Sequence, residues 1–156
     1  MKKATTKNLS RTRKSGTKSI KQQDSSLQAR LESEFAAAVQ SAHSYINDPE
    51  RLRALVKEAA RKVASLPRKP FQETWAYLQA MLRLIGAFSR GDYRKVPATK
   101  MLMIIAAIIY IVNPFDFIPD WVPALGFLDD AFVLAFALRR TQQALDDFMI
   151  WETTAL

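Results

Sequence analysis

A chain of 156 residues with 49% hydrophobic residues and 4 Gly has room for one domain and enough apolar surface to bury a core, which excludes global disorder. The absence of Cys excludes disulfides, thiolate nucleophiles and sulfur-ligated zinc, and a single His excludes an imidazole cluster. The formal charge of +8 is uneven: residues 1–21 carry eight basic residues and no acid, residues 24–99 carry 12 basic against 8 acidic, and residues 100–156 carry 3 against 7. The basic surplus therefore belongs to a terminal arm, and the pI of 9.9 does not describe a fold-wide nucleic-acid surface.

That arm, rich in Lys, Ser and Thr with Leu9 and Ile20 as its large aliphatics after Met1, cannot form a core and is expected to be disordered over 1–23. No apolar stretch follows its basic start, as a secretory signal requires. A solvated tail, an electrostatic tether to anionic lipid, a transit peptide and a nucleic-acid arm all fit its composition. For the last of these it lacks aromatic interleaving and a reading helix, which argues against nucleic acid as a partner.

Amphipathic helices follow. Asp24, Ser25 and Ser26 offer N-caps to a helix near 25–46 with the stripe Leu27, Leu31, Phe35, Ala38, Ala42 and Tyr45. Asp48 and Pro49 open a second near 49–66, striped by Leu52, Leu55, Val56, Ala59, Val63 and Leu66. Pro67 and Pro70 break the chain, and Phe71, Trp75, Leu78, Leu82, Ile85 and Phe88 predict a third over 71–89, ended by Gly91. Residues 24–70 form one amphipathic region, and His43 near its first stripe is read as structural or exposed.

From Met101 to Val112 the sequence MLMIIAAIIYIV is apolar all round. Twelve helical residues span about 18 Å against a hydrocarbon core of ~30 Å, too short for a simple transmembrane helix but suited to a buried or re-entrant one. A second apolar stretch, Ala131 to Leu138, belongs to a final helix near 127–150, so the two helices form a hairpin. The fold class is all-α: about five helices, the fourth over 98–112, with a C-terminal apolar hairpin joined by a Pro/Asp-rich connector at 113–126.

The segment Asn113 to Asp130, NPFDFIPDWVPALGFLDD, is the most specific part of the chain. Pro114, Pro119 and Pro123 disfavour a regular helix, and Gly126 permits a tight approach or positive φ. Asp116, Asp120, Asp129 and Asp130 sit among aromatic and aliphatic residues and, if buried, need backbone donors, a cation such as Lys100, Arg139 or Arg140, or a metal. Asp129 and Asp130 suit the N-terminus of the last helix. A site for Mg²⁺ or Ca²⁺ is the sharper alternative, weakened by Pro119 between Asp116 and Asp120 and by the absence of any established acidic metal motif.

The pattern N-P-x-D-x-I-P-D-x-x-P-x-x-G-x-x-D-D, carried by Asn113, Pro114, Asp116, Ile118, Pro119, Asp120, Pro123, Gly126, Asp129 and Asp130, resembles the YkvA-like proteins defined by the domain of unknown function DUF1232. The lead-in Gly91, Asp92, Tyr93, Arg94, Val96, Pro97 and the closing Asp146, Asp147, Phe148, Trp151, Glu152 resemble one branch of it. The likeness covers roughly 75–152, with 71–152 as the helical domain and residues 1–70 adding nothing. The resemblance implies a small, mostly bacterial, helical and membrane-associated protein of uncharacterised function, with no reaction, cofactor or metal to carry over.

Three readings follow. In the first, the hairpin 101–138 inserts in or lies at a bilayer as an interaction or structural component; its partners are membrane lipid and an unidentified protein, and it sits at the bacterial inner membrane with the basic tail cytoplasmic. In the second, the amphipathic helices bury residues 101–112 in a soluble cytoplasmic bundle that acts as an adaptor. In the third, the connector acids serve a metal-dependent enzyme. The residue set favours a non-catalytic role, because no substrate pocket accompanies the acids.

Overall fold

The computed structural model describes residues 22, 25, 26, 28–33, 35–112 and 123–155, with Pro70, 123–130 and Phe132 described by backbone alone. The described residues are helices and turns, so the all-α class holds. Two compact units divide the chain, Met1–Glu34 and Phe35–Leu156. In the first, residues 22, 25, 26 and 28–33 are helical. Of the tail expected to be disordered over 1–23, Gln22 is among the described residues and is helical; the rest of it lies outside them.

The second unit opens with helical residues 35–42, here α1, which stops four residues before the expected end at 46. Ser44 is the cause. Its amide and its hydroxyl both bond the Ser41 carbonyl, at 3.0 and 2.8 Å, which tightens the chain into a turn over 43–47. Tyr45 thereby leaves the helical stripe, and its ring lies under the Arg51 guanidinium at 4.2 Å. His43 is exposed in the same turn.

Helix α2, Pro49–Ser65, starts as its sequence requires: the Asp48 carboxylate accepts from the Arg51 amide at 3.1 Å, and Pro49 takes the first position, where no amide is needed. Leu52, Leu55, Ala59 and Val63 form its buried face. A single 3-10 turn, Lys69–Phe71, follows. Helix α3, expected from 71, begins only at Trp75, because the amides of Phe71 and Thr74 bond carbonyls three residues back and hold the segment in tight turns. At its other end Gly91 adopts φ 83°, the Gly91 amide bonds Phe88 O and the Asp92 amide bonds Ala87 O, a Schellman turn that an L side chain would strain.

Helix α4, Ala98–Val112, has the expected bounds and buries Met101 and every side chain from Ile104 to Val112. Helix α5, Pro123–Ala155, is longer than expected at both ends. Pro123 opens it instead of breaking the chain, since a fixed φ and a missing amide cost nothing at the first helical position. At the far end the Thr153 and Thr154 hydroxyls bond carbonyls one turn back, and the helix runs five residues past 150.

α3 and α4 touch each other and both touch α2 and α5, so the apolar α4 is enclosed by three helices. Residues on either side of Pro67 and Pro70 therefore share one core. Among the described residues no helix is long and apolar enough to cross a membrane. We expect Ile104→Ala or Ile108→Ala, both fully buried, to cost about 2–5 kcal/mol. Ile150→Ala, at a position 63% exposed, should stay within about 0.5 kcal/mol. Urea unfolding followed by circular dichroism separates the two cases, and Gly91→Ala should lose about 1–2 kcal/mol through backbone strain alone.

Candidate functional site

Of the ten signature residues, Asn113, Pro114, Asp116, Ile118, Pro119 and Asp120 lie outside the described residues, as does the connector up to 122. Pro123, Gly126, Asp129 and Asp130 lie on α5. Gly126, read as permitting a tight approach or positive φ, is in helical backbone. Asp129 and Asp130, read as first-turn residues of a helix near 127, are its seventh and eighth residues, beyond the turn where the helix dipole favours an acid. The basic residues considered as partners for these acids are placed elsewhere: Lys100 Nζ donates to the Arg140 carbonyl, joining the start of α4 to the middle of α5, and the Arg140 guanidinium lies 4.7 Å over Phe136. Arg139 is exposed.

The described side chains that converge most closely are the lead-in and closing groups. Tyr93 meets Phe148 edge-on at 5.2 Å and Trp151 at 5.0 Å, and Phe148 stacks on Trp151 at 5.7 Å. Gly91 makes this possible by ending α3 so that the chain turns back over α5. Arg90 pairs with Asp92 at 2.8 Å on the exposed side of the turn, and Arg94 lies 4.3 Å over Phe88.

Beside this cluster runs a polar seam. The Tyr77 hydroxyl donates to Asp146 Oδ1 at 3.0 Å and accepts from Gln142 Nε2 at 3.0 Å, while Arg83 grips Glu152 with two bonds of 2.9 and 3.1 Å. Tyr77 to Arg83 and Asp146 to Glu152 are both steps of six residues, so α3 and α5 run parallel with matched register. The Arg83–Glu152 pair is half exposed and, by itself, worth little stability; its fork geometry sets alignment. Tyr77, Arg83 and Gln142 carried no signal beyond that equal spacing, which gains meaning only once the two helices are known to be neighbours.

A recess of about 330 Å³ opens between α2, α3 and α5, lined by Val56, Leu82, Gly86, Ala87, Phe148 and Trp151. Its charged rim, Arg83, Arg90 and Glu152, is engaged in ion pairs. Among the described residues no group of three or more His, Asp or Glu could hold a metal ion, and no buried polar side-chain atom lacks a partner. The described arrangement is one of packing and alignment.

Residues 100–136 match the family described as protein of unknown function (DUF1232). An "Uncharacterized membrane protein YkvA" of Bacillus subtilis (strain 168) is 31% identical over 102 residues, covering 65% of this chain and 96% of that protein. A match of that length does not fit within 75–152, so the likeness reaches back into α2 and the first 70 residues do contribute to it. No solved structure matches the chain.

Burial, and secondly the negative charge of Asp147, push the Tyr93 hydroxyl above its ordinary pKa of 10.0. The folded chain then holds this proton more tightly than the unfolded chain does. Stability from Tyr93 is full below about pH 10 and falls as pH rises toward the folded value. Thermal midpoints measured from about pH 8 to about pH 11 should fall less steeply in Tyr93→Phe than in the natural protein. Tyr77→Phe should cost about 1 kcal/mol at neutral pH by removing the donor to Asp146.

Proposed function

The chain belongs to the YkvA-like family defined by DUF1232, and from that membership we propose that it is a small membrane-associated helical protein that acts as a structural or interaction component. The observation that carries the reading is the match over nearly the full length of a relative named as a membrane protein. The enclosure of α4 shapes it further: with Ile104 to Val112 covered by protein, the attachment we propose leaves this helix inside the unit and holds the bilayer at the surface. On this reading the membrane is the bacterial inner membrane, the basic tail faces the cytoplasm, and the partners are lipid and an unidentified protein. The Asp residues of the signature, Asp116, Asp120, Asp129 and Asp130, fix the geometry between α4 and α5.

A second reading has one observation in its favour. The same enclosure of α4 is what a helical-bundle adaptor away from membranes requires.

Fractionation of the protein at its native level separates the two. Recovery with membranes, followed by release in high salt, is the expected result for surface attachment; retention through both salt and alkaline carbonate would place α4 or the connector in lipid. Recovery wholly in the soluble fraction would sink the membrane reading and leave the adaptor. For the signature acids, Asp120→Asn with Asp129→Asn should lower the thermal midpoint or displace the protein from membranes. Unchanged stability and location would count against their role.

A further inference from the structure

The solvent face of α2 carries Arg53, Lys57 and Arg61 at steps of four, which places them in one row along the helix. All three are exposed; Ala60, between Lys57 and Arg61, and Ala64, one step beyond Arg61, are exposed and small, and the exposed acids Glu50 and Glu58 stand three residues before Arg53 and Arg61. The row spans about 12 Å, close to the ~8 Å screening length at physiological salt, so its charges act together on a facing surface.

These cations differ from many others in the unit in having nothing to do. Arg83 and Arg90 are spent on Glu152 and Asp92, Arg51 donates to the Ser44 carbonyl and covers Tyr45, and Arg140 covers Phe136. Arg53, Lys57 and Arg61 make no hydrogen bond, ion pair or ring contact among the described residues. Asp146, Asp147 and Glu152 lie on α5, whereas α2 carries five basic residues against Glu50 and Glu58, so the basic excess of the unit lies on α2.

We infer that the row Arg53, Lys57 and Arg61 is the surface by which the protein docks on the anionic headgroups of a lipid layer. The inference rests on the membrane reading above and names the surface that serves it. Charge complementarity selects the occupant: the exposed residues of α2 carry Arg51, Arg53, Lys57 and Arg61 against Glu50 and Glu58, a cationic excess, with no large apolar side chain to seat in the groove of a protein partner. Ala60 between Lys57 and Arg61 lets a headgroup phosphate approach the helix closely there. Each basic residue near such a surface is worth about fivefold in partitioning, so three together are worth on the order of a hundredfold.

The test uses the full chain, vesicles of phosphatidylcholine with and without phosphatidylglycerol, and two variants that remove equal charge. One is R53Q/K57Q/R61Q; the other, K69Q/K95Q/R139Q, takes its three charges from scattered exposed positions. Helicity and thermal midpoint, expected to be unchanged in both, establish that each is folded. The natural protein should sediment with the phosphatidylglycerol vesicles and not with phosphatidylcholine alone. The row variant should lose on the order of a hundredfold in affinity and the scattered variant less than tenfold. Equal losses in the two variants, or no loss in the row variant, overturn the inference, and so does binding to a DNA duplex without binding to vesicles. Those results leave membrane fractionation of the natural protein intact, whereas its absence from the membrane fraction removes the membrane reading itself.

Discussion

Ile104 to Val112 present apolar side chains in every direction around a helix, and a helix of that kind cannot lie on a surface with one side in water. It needs cover on all sides. α2, α3 and α5 provide that cover, and the other features of the unit follow from holding those three in place: the Asp48 cap that starts α2, the glycine turn that ends α3, and the seam that fixes α5 in register with α3. Because α4 is short, its full burial takes only a small unit, and beyond Lys100 at its start it carries no charged residue.

α5 serves two neighbours in succession. Its first half runs beside α4, tied near the midpoint by Lys100 at the Arg140 carbonyl, and its second half runs beside α3 through Tyr77 and Arg83. Thr141, fully buried at the changeover, satisfies its hydroxyl on the Ala137 carbonyl one turn back, so the polar group is carried into the core without an orphaned donor. The recess beside Phe148 and Trp151 lies where α2 and α5 flank α3.

Much of this was legible in the residues, for reasons that differ between elements. α2 and α4 could be bounded closely because a cap followed by proline, and an abrupt change to all-round apolarity, are local signals. The end of α1 could not, since nothing in the stripe shows that the Ser44 hydroxyl competes with the next helical turn. Pro123 misled in the opposite sense: the same residue breaks a helix from within and starts one at its first position, and only the backbone tells which. The family signature stood out as a string. The seam did not, because equal spacing on two segments 69 residues apart says nothing until both are known to lie side by side.

The order of the elements along the chain also bears on how the protein is made. α4 leaves the ribosome before the helix that completes its enclosure, and at about 5–20 residues per second the interval until α5 has followed is roughly 2–9 s. During that interval a row of isoleucines is covered on two sides and open on the third. The nascent chain is then at its most adhesive, toward chaperones, toward other chains and toward any bilayer near the exit tunnel, and that exposure closes when α5 folds back against α4.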